Sequence, residues 1–205
     1  MTVCSTISPQ AVELVKLENN IATYKLRQNI TESTVENMLI GTSDKLYSYD
    51  ELTLQVTYVE NIEQQINDNF EIYWNLAFDK VKKDKIVEMS SLCEYKIINE
   101  FYSDCLGEIK RFDCTLLDQQ NISGLVSVAM AKASGSLIEE ILRWKASGEP
   151  ICYEWTSEQI MKLGLDLHKH KNDCIVRFEE LRIYINDTNR TLQDLLNLTW
   201  DTQIG

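Results

Sequence analysis

From Leu142 to Asp201 the chain has an order that leaves few ways to fold. Leu142 and Trp144 lead to a turn at Ala146-Ser147-Gly148-Glu149, and Ile151, Tyr153 and Trp155 then alternate with polar residues. A glycine in a short link between two such runs reads as a β-hairpin. Thr156 with Gln159 three residues on matches a capping box, so the strand should turn directly into a helix. Along that helix Ile160, Leu163, Leu167, Cys174, Phe178, Leu181 and Ile185 recur at helical spacing to about Asn186. From Cys174 the steps are four, three and four, a seam able to pack on another helix or on a symmetry mate. Cys174, Phe178, Leu181 and Ile185 are therefore the candidate interface residues. Thr191 and Asp194 cap a last short helix carrying Leu192, Leu195 and Leu196, with Trp200 packing it down.

Upstream, Ile86, Met89, Cys93, Ile97 and Phe101 lie on one side of a helix that would run from Leu76 to Phe101, about 40 Å long. Gly107 breaks the pattern, and Cys105–Asp113 reads as a loop or short extended piece. Thr115 with Asp118 starts a second helix, whose stripe of Ile122, Leu125, Val126, Ala129 and Met130 ends near Ala133. Joined by roughly a dozen residues, these two helices suggest an antiparallel pair. In the first 74 residues, Pro9 can start a helix reaching Asn20, and Thr31–Ile40 reads as a second, ended by Gly41. Leu52, Leu54, Val56 and Tyr58 alternate as a strand with one buried face, and the pattern turns helical again from Asn61. The predicted fold class is α+β, mainly α: antiparallel long-helix pairs, a small β-hairpin before the C-terminal long helix, and helical self-association. The predicted divisions are residues 1–74 for attachment or oligomerisation, 75–135 as helix-loop-helix, and 136–205 as hairpin, long helix and terminal helix.

Charge narrows the partners. The 205 residues carry a net charge of −12. Residues 1–74 hold 11 acids and 4 bases, so the first third would repel a phosphate backbone, and nucleic-acid binding is disfavoured. Lys82-Lys83-Asp84-Lys85 is interleaved with acid and reads as a solvated helix face. The longest uncharged apolar run, Gly124–Ala131, falls far short of the roughly 20 residues that span a bilayer. Met1-Thr2-Val3-Cys4-Ser5 has neither the basic start nor the apolar core of a secretory signal, so a life without export or membrane insertion is expected. Six irregularly spaced cysteines with no CxxC then read as buried thiols, and the five Asn-x-Ser/Thr matches carry little weight.

Chemistry is sparse. His168 and His170 are the only histidines, and Cys174 follows His170 by one helical turn. That spacing suits a metal, but two ligands do not make a zinc site, and a Cys–His couple on one helix lacks a base facing it across a cleft. Adjacent carboxylates at Glu139-Glu140 and Glu179-Glu180 point about 100° apart on a helix and suit a solvated face better than acid–base work. No phosphate loop, HExxH or GxSxG occurs. No cofactor, metal or catalytic residue is expected, and the chain does not read as an enzyme.

The order of these residues resembles a phage family. Asp79–Gly107, with Lys83, Ile86, Cys93, Ile97, Phe101 and the Leu106-Gly107 pair, followed by Phe112-Asp113, Asp118-Gln119 and Asn121, is similar to a recurring stretch of phage tail proteins. The series Trp144, Gly148, Thr156, His170, Cys174, Arg177, Leu181, Ile185 and Trp200 resembles a domain of unknown function that ends many tail-fibre and tail-assembly proteins. The resemblance covers roughly Asp79 to Asp201 and leaves the N-terminal part unmatched. It implies a virion protein, made in the host cytoplasm, that docks to other tail proteins at a fibre or baseplate and forms a homo-oligomer, a trimer above others. A fibre-assembly chaperone that leaves the finished particle is the alternative. A metal enzyme built round His170 and Cys174 and a cytosolic scaffold outside phages are the remaining readings.

Overall fold

Strand alternation, not helical periodicity, organises the first sixty residues. A computed structural model describes residues 2–37, 42–136 and 139–204. Four strands, β1 (Thr2–Ser5), β2 (Val12–Glu18), β3 (Ile21–Asn37) and β4 (Thr42–Thr57), form one antiparallel sheet in the order β1-β4-β3-β2. This overturns the mainly α reading with its antiparallel long-helix pairs. The stretches Pro9–Asn20 and Thr31–Asn37, expected as helices, lie largely in strands; the helix end expected at Ile40-Gly41 lies outside the described residues.

The reasons are local. Glu18 pairs with Ile21 across Asn19 and Asn20, whose φ values of 50° and 63° are the left-handed pair that a two-residue hairpin turn requires. Asparagine tolerates that region better than most residues. Ala22, Tyr24 and Leu26 on β3 face Val56, Leu54 and Leu52 on β4, so one sheet face is apolar. That face packs on Ile62 and Ile66 of α1 (Ile62–Asp68), Trp74 and Ala77 of α2 (Phe70–Asn99), and Leu192 of α5 (Leu192–Asn197). On the opposite face Glu51 binds Lys25 at 2.7 Å and Arg27 at 2.8 Å, and Arg27 also binds Glu13 at 2.6 Å.

The chain divides into two compact units: Met1–Val87 with Tyr184–Gln203, which holds the sheet, and Glu88–Ile183. The second has its own core. β5 (Glu100–Ser103) and β6 (Lys110–Asp113) form a hairpin, β6 falling in the stretch read as a loop or short extended piece, so α2 and α3 (Leu116–Ala133) are separated by a strand pair rather than joined as a helical hairpin. Phe101 pairs with Phe112, and Trp155 meets the Phe112 ring edge-on with centroids 5.9 Å apart. β7 (Leu142–Trp144) and β8 (Tyr153–Trp155) make the hairpin that precedes α4 (Ser157–Asn186). Its link turns through Gly148 at φ 82°, where Glu149 accepts from the Ala146 amide at 2.8 Å.

Helix starts follow the capping residues. Gln159 donates its amide to Thr156 Oγ1 at 3.2 Å, and Thr156 donates its own to Gln159 Oε1 at 2.9 Å. Thr115 with Asp118, and Thr191 with Asp194, close the same reciprocal pair.

Candidate functional site

The Glu88–Ile183 unit holds a cleft of about 410 Å³ between the end of β5 and the middle of α4. Ser103 ends β5 and is 5 % exposed, and Asp166 projects from α4. Ser103 Oγ donates to Asp166 Oδ2 at 2.6 Å and accepts from the Cys105 amide at 3.1 Å. Lys162, one turn before Asp166, reaches both Asp166 oxygens and Asp104 Oδ1 at 2.7 Å. Hydrogen bonds that Lys162 donates to Asp104 and Asp166 drive its ammonium well above the ordinary lysine range. A lysine fixed in its charged form cannot take the Ser103 proton, and the carboxylate beside it is already engaged. The cluster braces the β5–β6 hairpin against α4 and supplies no activated nucleophile.

His170 also lines this cleft, but its Nε2 faces the Lys96 carbonyl at 2.9 Å. A carbonyl only accepts, so that nitrogen carries the proton and is not a metal ligand. The contact satisfies one of the open carbonyls in the last turn of α2, as Gln119 Nε2 and the Cys114 thiol do for Ile97 at 3.3 and 3.1 Å. Cys174 is buried, and burial pushes its thiol up, away from the thiolate a metal needs. The Cys93 thiol donates to the Cys174 carbonyl at 3.4 Å. Among the described residues no three His, Cys, Asp or Glu side chains are grouped to hold a metal ion.

The expected interface residues are placed unevenly. Cys174, Leu181 and Ile185 are buried within the chain and Phe178 is half-buried, so this seam of α4 is already covered. The open face of α4 is instead marked by Leu165, Ile175, Val176 and Ile183. Glu179 pairs with Arg182, and Glu180 with Arg177 at 3.0 Å, as solvated helix pairs.

A second surface lies in the sheet unit. β2 accompanies β3 only from Ile21 to Leu26, and β1 accompanies β4 only from Tyr47 to Asp50. Among the described residues, Thr31–Asn37 and Thr42–Ser48 beyond those limits pair only with each other, apart from the Tyr47–Ser48 contact with β1. The result is a two-stranded ribbon on which Thr31–Val35 and Ser43–Lys45 are exposed. Its base carries a bulge between Gln28 and Thr31, where Asn29 takes φ 54° and donates from Nδ2 to Asp50 at 2.8 Å. The ribbon's sequence sign is its β-branched content, Ile30, Thr31, Thr34 and Val35. The Ser103–Asp166 bond, 63 residues apart in sequence, has no such sign.

No helix among the described residues is long and apolar enough to cross a membrane. Residues 80–198 match the model of the family described as Domain of unknown function (DUF4376), and the chain belongs to that family. No curated protein matches the chain, and no solved structure does.

Proposed function

We propose that this member of the domain family is a bacteriophage tail structural protein, at the fibre or baseplate, that works by docking to another tail protein through its β3–β4 ribbon. The observation that carries the docking reading is the ribbon itself. Two strands with exposed side chains and open edges gain little stability alone in water. An unpaired edge of this length is a template for strand addition by another chain. The tail assignment rests on the residue order from Asp79 to Asp201 that resembles tail-fibre and tail-assembly proteins. The cleft adds support from the other side, since its serine, lysine and carboxylates are consumed in bracing one another.

Thr34→Lys with Ser43→Lys tests this reading, because lysines on an edge discourage strand addition. Both sites are exposed, so the variant should keep its fold. Its incorporation into particles of the phage that encodes it should fall by about tenfold or more, a loss that matches the removal of a few strand hydrogen bonds. Incorporation equal to wild type would refute docking through the ribbon. An open edge also suits an assembly chaperone, and that protein would be absent from mature particles.

A further inference from the structure

The open face of α4 has a charge and apolar pattern that complements itself in one direction only. Leu165, Val176 and Ile183 are 62 %, 48 % and 71 % exposed, and Lys169, Asn172 and Glu179 fill the positions between them. At 3.6 residues per turn these six side chains fall within an arc of about 80°, on a strip about 27 Å long. All six belong to the same unit of the chain. Lys169 makes no ion pair among the described residues, and Glu179 is held only by its helix neighbour Arg182.

We infer that this strip is a twofold interface on which a second copy of the chain lies antiparallel, with the axis level with Cys174. In that register Leu165 faces Ile183 of the second copy, Lys169 faces Glu179, and Asn172 faces Val176. Symmetry repeats each pair on the other side of the axis. Opposite charges then meet twice, and Leu165 and Ile183, the most exposed aliphatic residues of the strip, cover each other. A parallel, in-register assembly, the arrangement of a fibre-like trimer, would set Lys169 against Lys169 and Glu179 against Glu179. Like charges so placed act against association. A chain of charge −12 repels its own copies, so the reversed Lys169–Glu179 contacts also supply the local attraction that a dimer of this protein needs. A single helix strip is a small interface, which makes the dimer a dissociable one. The inference concerns the isolated protein and does not depend on the tail assignment.

Sedimentation velocity on the full chain, from about 1 to 200 μM, tests it. Wild type should pass from monomer to dimer over that range. Lys169→Glu alone and Glu179→Lys alone should each weaken the dimer by about tenfold or more, because each places like charges at both symmetric positions. The double variant K169E/E179K restores opposite charges and should dimerise within about threefold of wild type. A wild-type protein that stays monomeric throughout, one that forms trimers, or a double variant no better than the single ones would overturn the inference. Unchanged far-UV circular dichroism of all three variants separates lost association from lost folding.

Discussion

A β-carbon added to Gly164 on α4 would fall less than 3.0 Å from Val126 Cγ2 on α3. The two helices approach each other where one has no side chain and the other has a β-branched one, whose χ1 is stiff in a helix. Gly124, on α3, has open space around the same hypothetical carbon. Two helical glycines should thus respond to alanine with opposite signs. Gly164→Ala should lose about 1–3 kcal/mol to overpacking, while Gly124→Ala should gain up to about 1 kcal/mol from helix propensity. Urea unfolding of both variants measures this, and equal responses would remove the close contact from the description of the core.

Glu51 gives the sheet unit a defined pH dependence. Partial burial pushes its carboxyl up, but hydrogen bonds from Lys25 and Arg27 outweigh that, and its pKa lies below the usual glutamate range. A carboxyl depressed on folding contributes stability that is complete above its unfolded value of about 4.3 and is lost as pH falls through the folded value. Glu51→Gln should cost about 1–2 kcal/mol at pH 7. The gap between variant and wild type should hold down to about pH 5 and close below about pH 4. Melting curves across that range read the effect, and a gap that widens in acid would contradict it.

The six thiols should sort by exposure. Cys4 and Cys152 are exposed, whereas Cys93, Cys105, Cys114 and Cys174 are buried. Burial raises all four of the latter, with Cys114 pushed up to about 11. A disulfide reagent at pH 8 should therefore titrate two cysteines quickly in the folded protein and the other four only after denaturation. Four or more fast thiols would show that the second core is open.

Thr156→Ala removes the side-chain half of the capping box that turns β8 into α4. A loss of about 1 kcal/mol is expected, with Thr156→Ser recovering most of it. Thermal melts of the two variants side by side check the hydroxyl rather than the volume.

What was legible in the sequence was local. Thr115, Thr156 and Thr191 announce helix starts because a hydroxyl and an acceptor three residues later satisfy named backbone amides within one turn. The β7–β8 hairpin is legible because Gly148 and the alternation of Tyr153 and Trp155 act over a few residues. The N-terminal sheet is harder to see. Val12, Leu14 and Val15 mimic helical spacing, and the shift in pairing between Leu14 and Lys16 breaks the alternation of β2. The signals that do point to strands are Ala22, Tyr24 and Leu26 alternating with Thr23 and Lys25, and the Asn19-Asn20 turn before them.

The site was less legible than the fold. Cys174, Leu181 and Ile185 do form a periodic apolar seam, but periodicity cannot say whether the chain's own residues or a partner cover it. Here the chain covers it. At Cys174 the covering element is α2, whose Cys93 thiol donates to the Cys174 carbonyl from 81 residues away, and that is a long-range outcome. The same holds for the cleft, where Ser103 and Asp166 become neighbours only because the β5–β6 hairpin lies against α4.

Peptide mapping of purified phage particles tests the proposed role most directly. Peptides from Ile160–Arg177 should be recovered from mature virions of the phage that encodes the chain, in constant ratio to other tail proteins. Their absence from mature particles, with the protein present in the infected cell, would contradict a structural role in the tail.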